Sequence, residues 1–434
     1  MRPRPASNDP AAIPPYLISA SQPNIAFVHP GYDGDFTSAT FLSLPRLDDG
    51  GVCFDTALAA CGLIACNQWS GCFSTDKSGQ SRVDRPPDGI LRDHPCYYFH
   101  LPASGSGLTG DASSDPTSLS LPYPINPRFS DWTFPHHDLP EHWTRLQLQT
   151  NANLPPMIVG QRASFCVATN YSYGVDVAHC VPSNEREWWD LNRMDYYGQP
   201  SMLLFSTQPQ DAPANLVPLR SDFHRVFDER YLCFVPKVVE SPGSDSHEVD
   251  NGDPQPQTRL LIHVVVPSPN GQIAGLWHNR DLHALPPGLS KECLFARFAY
   301  TILSPFVFSS AFLSGTTVPR RLRIRDAETQ IPSVRKVGPA DCRGILDGGH
   351  DGREAGGEQG RDAAGGAYGG GRLDEGALSD SPSGLLAQFG PDPAYVIAEE
   401  GGGKERGRGR KRTFEARDDE GDRSQSSRPR GRRL

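Results

Sequence analysis

Apolar residues are spread unevenly along the chain, and their spacing changes character several times. From Ile25 to about Trp143, short apolar runs alternate with polar loops. There, FDTALAACGLIACN (Phe54 to Asn67) follows a DDGG turn with apolar positions at helical spacing, and CYYFHLPA from Cys96 has the make-up of a strand. Between about Gln161 and Gly315 the pattern is denser. GVDVAHCVP and PANLVPL are apolar runs ended by proline, which predicts strands. RSDFHRVFDERY places Phe223, Val226 and Phe227 on one helix face, with Ser221 as the expected N-cap and Asp222 in the first turn. YLCFVPKVV and TRLLIHVVVP predict two more strands, separated by an acidic Ser/Gly/Pro segment at about 240–257 that reads as an insertion. The run from Phe298 to Gly315 carries no charge, but its serines and the mid-segment Pro305 predict a buried helix broken at the proline rather than a membrane span. Beyond about Val318 no window sustains apolar periodicity. The expected fold class is therefore α+β, in four regions: a disordered N-terminus (1–24), an accessory module (25–145), a mixed domain (146–316) and a disordered Gly/Arg-rich basic tail (317–434).

Composition supports this uneven division. Only 37% of the 434 residues are hydrophobic, and 43 Gly and 41 Pro punctuate rather than pack, so the whole chain cannot form one core. The formal net charge of −9 excludes a uniformly basic nucleic-acid coat but leaves room for a local basic site. The clearest excess of basic charge is terminal: residues 401–434 hold 12 Lys/Arg against 6 Asp/Glu, a composition suited to nuclear import or nucleic-acid contact. Ten cysteines are too sparse for a disulfide scaffold, and no CxxC pair marks a zinc knuckle. The N-terminus lacks an apolar signal core, so the cysteines, Cys166 and Cys180 included, are expected to be buried reduced thiols of an intracellular protein. His136, His137 and His142 match no metal spacing and read as loop histidines.

The chemistry concentrates in FCVATNYSYGVDVAHCVPSNEREWWDLNRM and DAPANLVPLRSDFHRVFDERYLCFVPK. These segments present His179 on a strand, Asn215 at the edge of a second strand and His224 on a helix. His224 and Asp228 stand at i and i+4, so both side chains leave one helix face and could chelate one cation. Trp188, Trp189, Tyr196 and Tyr197, between the strands, are expected to cover the core.

AHCVP, then NLVPLRSDFHRVFD, FVPK and LWHNRDL resemble the HNH endonuclease family, and in particular fungal proteins with an HNH domain. The resemblance implies a small ββα-metal module, within a larger mixed α/β region, that hydrolyses nucleic-acid phosphodiesters, DNA being the favoured substrate. It implies His179 as general base and Asn215 as the residue holding the His-bearing loop. It also implies His224 and Asp228 as ligands of a divalent cation, Mg²⁺ first, with Mn²⁺, Ni²⁺ or Zn²⁺ as alternatives. Arg220, Arg225 and Arg230, on or beside the helix, are the expected phosphate contacts, although residues 160–240 are net acidic, with seven Lys/Arg and ten Asp/Glu. No membrane association is implied. One position departs from the family: many members place an Asp or His ligand immediately before the catalytic His, where this chain has Ala178. Asp176 is the nearby substitute, yet in an extended strand it faces away from His179 and would need a bulge or turn to help. Ala178 keeps a second reading open, a catalytically silent HNH-like scaffold that binds nucleic acid or protein.

Overall fold

Five strands from the front of the chain assemble into one sheet. Its order is Thr40–Leu44, Ile25–Val28, Cys96–His100, Cys72–Ser74, Arg82–Val83, and Ile25–Val28 runs parallel to Cys96–His100 while the other neighbours are antiparallel. Alternation puts Phe27, Phe73, Tyr97 and Phe99 in the core, where Phe54 at the start of the helix Phe54–Ile64 meets Phe73 edge-on at 5.4 Å. This computed structural model describes residues 23–32, 36–102, 122–148, 150, 165–198, 208–239, 257–267 and 271–347, all within one compact unit, Met1–Gly357. The N-terminal segment to residue 22, most of the acidic 240–257 insertion and the chain beyond 347 lie outside the described residues.

The expected division at residue 145 does not separate two cores. Trp132 and Trp143, from the front half, are fully buried beside residues from the back half. Trp132 stacks on Trp188 with ring centroids 5.5 Å apart, and Trp143 meets Phe295 at 5.1 Å. Phe295 and Phe298 belong to the helix Lys291–Ile302, whose N-cap Ser290 accepts the Cys293 amide at 3.0 Å and which ends before Pro305. No helix among the described residues is long and apolar enough to cross a membrane.

The tail expected from residue 317 also begins too early. Residues Arg320–Arg325 and Pro332–Val337 pair as an antiparallel hairpin, and the helix Pro339–Asp347 follows. Leu322 is buried and bridges to Ile125. Arg320 is buried as well, because two backbone carbonyls take its guanidinium, Phe312 O at 3.1 Å and Ser38 O at 2.6 Å, and it lies over the Tyr32 and Phe312 rings. An arginine held in this way occupies a core position that hydropathy assigns to solvent.

Two antiparallel ladders carry the middle of the chain. Val175–His179 pairs with Leu216–Arg220 without a bulge, and the helix Ser221–Asp228 follows directly. Leu232–Val239 pairs with Gln257–Val264 over eight positions. Lys237, in the middle of that second ladder, is buried against Asp48 from the front half, Nζ to Oδ1 at 2.6 Å. Asn279 (2.9 Å) and His278 Nε2 (2.9 Å) share the same oxygen, and Oδ2 accepts the Cys53 amide at 2.8 Å. Burial alone would raise the Asp48 carboxyl, but the charge of Lys237 and then the His278 contact hold it well below its ordinary range. Removing one partner of such a pair strands a buried charge. In the full chain, Lys237→Met is therefore expected to lower unfolding free energy by about 3–5 kcal/mol, whereas Asp48→Asn combined with Lys237→Met should recover most of the loss. Urea denaturation reads both, and a single variant as stable as wild type would contradict the assignment.

Candidate functional site

The strand–strand–helix segment gives the expected site residues two sets of side-chain partners, one around His224 and one around His179. Around the helix, His224 lies between two carboxylates: Nε2 is 3.1 Å from Asp228 Oδ2, and Nδ1 is 3.8 Å from Asp176 Oδ2. The first contact follows from the i,i+4 spacing. The second needs neither bulge nor turn, because even-numbered residues of Val175–His179 share a face of the ladder and Asp176 stands on that of buried Ala178. Asp176 thus reaches His224 from its regular strand position. His179 stands on the alternate face and takes a different partner, Asp211 Oδ1, at 2.9 Å from its Nε2.

The loops are fixed by backbone hydrogen bonding. Asn215 is buried; its Nδ2 donates to Val181 O (2.9 Å) and Gln210 O (3.0 Å), and its Oδ1 accepts the Val181 amide (2.8 Å). It therefore pins the turn after His179 to the segment that carries Asp211. Ser221 is the first helical residue rather than the expected N-cap. Its hydroxyl donates to Gly174 O at 2.9 Å, which ties the helix start to the beginning of the His179 strand; Asp222 accepts the Phe223 amide instead.

The three arginines expected to meet phosphate already have partners. Arg220 pairs with Asp222 at 2.6 Å and lies over Tyr171, Arg225 pairs with Glu229 at 3.0 Å, and Arg230 lies over the Tyr300 ring at 4.8 Å. Trp188 and Trp189 are buried as expected, whereas Tyr196 is largely exposed. His136 is held by Tyr197 and the Asn192 carbonyl, a structural role. All ten cysteines are free, and burial pushes the Cys180 thiol up to about 12, so it is no thiolate ligand.

Which groups suit a cation? The His224 cluster offers two carboxylates and an imidazole, and both carboxylates are about half exposed, at 52% and 54%. Oxygen and imidazole nitrogen in that combination suit a divalent cation. Each carboxylate faces a different ring nitrogen, however, an arrangement that favours the protonated ring, and a ring nitrogen must give up its proton before it can ligate. Asp48, His263 and His278 also have ligand atoms within 4.8 Å of one another and are buried. That second set does not fit: the Lys237 ammonium sits on the shared carboxylate, and His278 Nδ1 accepts the Val264 amide at 3.1 Å. Sequence spacing gave no sign of Asp211 or of the Asp48 network, because their partners lie far away along the chain.

The hydrogen bond from Asp228, aided by its charge and that of Asp176, raises the His224 pKa against the effect of burial. Since the folded value exceeds the ordinary 6.5, the cluster's contribution to stability is complete below pH 6.5 and is lost as pH rises through the raised value. In metal-free solution the urea midpoint of wild type should therefore fall across that range relative to His224→Gln, which cannot titrate. Parallel curves would count against the imidazolium.

Comparison with known proteins bears on the same segment. Neither curated proteins nor solved structures gave a match to the chain. Residues 166–235, which hold the His179 strand, Asn215 and the His224 helix, match the HNH endonuclease family.

Proposed function

We propose that the 166–235 module hydrolyses phosphodiester bonds in nucleic acid, DNA foremost, with a divalent cation. The observation that carries this reading is the convergence of Asp176 and Asp228 on His224 within a segment that matches a nuclease family. These three side chains would hold the cation, which when bound supplies positive charge to the phosphate and the departing oxygen. Asp176 takes over the ligand role that Ala178 cannot fill.

His179 acts as the base. With the Asp211 carboxylate on Nε2, that nitrogen carries the ring proton, and Nδ1 keeps the lone pair that accepts a proton from water. Asp211 orients the ring and stabilises the imidazolium that forms. Asn215 keeps the turn after His179 from shifting, through its three main-chain hydrogen bonds. Because Arg220 and Arg225 are neutralised by their own acidic neighbours, the module binds phosphate weakly by itself, and the basic segment 401–434 is the proposed source of additional affinity, with nuclear import as its other role.

A silent scaffold is the second reading, favoured by one arrangement: both ring nitrogens of His224 face carboxylates, a self-sufficient ion cluster that needs no metal. Plasmid nicking by the full chain across Mg²⁺, Mn²⁺, Ni²⁺ and Zn²⁺ separates the two. His179→Ala is expected to lower turnover by about 10²–10⁴-fold and to leave metal binding intact. His224→Ala should weaken metal binding and be rescued in part by excess cation, and Asp228→Asn should do the same more mildly. Asp211→Asn should reduce turnover with little change in metal affinity. Equal metal rescue of His179→Ala and His224→Ala would overturn the roles, and four variants indistinguishable from wild type would leave the scaffold.

A further inference from the structure

Arg297 is a fully buried charged side chain beside the module, and it lies outside the matched segment. It sits on the helix Lys291–Ile302 with no exposure, and it forms no ion pair among the described residues. Its one hydrogen bond is long, 3.5 Å from Nη1 to the carbonyl of Cys180, while Nε and Nη2 have no partner. The guanidinium instead lies over aromatic rings, its Cζ 3.6 Å from the centroid of Phe227 and 5.4 Å from that of Tyr300. Burial pulls its pKa down to about 10, still cationic at neutral pH, and the charge of Asp228 is the strongest influence in the other direction.

Position gives this charge a meaning. Cys180 is the residue after His179, and Phe227 is the residue before Asp228. One side chain therefore touches the main chain at the end of the base-bearing strand and the ring next to the helix's last acidic group. A buried cation with two unmet donors is a poor way to fill space. An unbranched apolar side chain of similar length would fill it at lower free-energy cost, since buried charges are often matched or exceeded by apolar replacements. What the apolar side chain cannot do is hold a carbonyl and attract Asp228 together.

We propose that Arg297 is a positioning residue for the module, holding the end of the His179 strand and the His224–Asp228 helix in fixed relation from outside residues 166–235. Its effect on turnover rests on the nuclease reading, whereas its effect on the mobility of the two elements does not. The comparison is between wild type, Arg297→Met and Arg297→Lys, each as the full chain. Hydrogen exchange is followed in peptides covering 175–181 and 221–228, with the remote pair 25–28 and 40–44 as reference, and nicking kinetics are measured alongside. For Arg297→Met, exchange should rise severalfold in the two site peptides and stay unchanged in the reference. Thermal stability should be equal or higher. Turnover should fall by about 10²-fold at unchanged KM, the scale of a small misplacement of reacting groups. Arg297→Lys should regain part of the turnover, because it keeps the charge without the planar guanidinium. If Arg297→Met does not fold, Arg297→Lys alone decides, by the same split between kcat and KM. Wild-type exchange in both site peptides together with wild-type turnover overturns the proposal. A wild-type protein that nicks with none of the cations overturns the nuclease reading instead, and the exchange measurement then still decides whether Arg297 holds the two elements together.

Discussion

A carboxylate with no access to water has to be neutralised from within the protein, and at Asp48 this requirement joins the two halves of the chain. The partners that neutralise it come from Lys237 and from the neighbouring residues His278 and Asn279, about 190 and 230 positions further on. Lys237 belongs to the ladder that follows the site helix, so the front sheet cannot move away from the nuclease-family segment without exposing an unpaired charge to an apolar interior. The stacked tryptophans extend this joint with non-directional packing, but the ion network is the directional part. It gives the junction its register.

Within the module the same economy of charge creates a conflict. Asp228 and Asp176 favour the protonated form of His224, and these are the groups that would present an anionic face to a metal. Under the proposed function, proton and divalent cation would therefore compete for one imidazole. Whichever binds neutralises the pair of carboxylates, so in either state the cluster avoids two adjacent unbalanced negative charges.

Much of this architecture was legible in the sequence where the determinants are local. The strand–strand–helix order, the contact between His224 and Asp228, the break at Pro305 and the buried tryptophans all follow from spacing and side-chain type. Asp176 was half legible: strand alternation separates it from His179, but the same alternation brings it to His224, and that consequence needs the packing of helix on ladder. Three features were hidden for a common reason. Arg320, Lys237 and Arg297 are charged residues at core positions, and hydropathy places them in water, because only distant carbonyls, a carboxylate or aromatic rings make their burial tolerable. The hairpin at Arg320–Val337 was missed on this account, since its first strand reads as basic and soluble.

The eight-pair ladder between Leu232–Val239 and Gln257–Val264 has an open end at Val239 and Gln257, where the acidic stretch leaves and returns. Register there is set by the ladder and by Lys237, not by the connecting chain. Lengthening such a connection is thermodynamically mild, about 0.6 kcal/mol for each doubling, so this point tolerates foreign sequence better than its place in the middle of the chain suggests. In the course of evolution it is a site where a binding segment can be grafted or lost while the strand–strand–helix geometry stays as it was. In the laboratory it is a natural place for an internal tag or a fluorescent reporter.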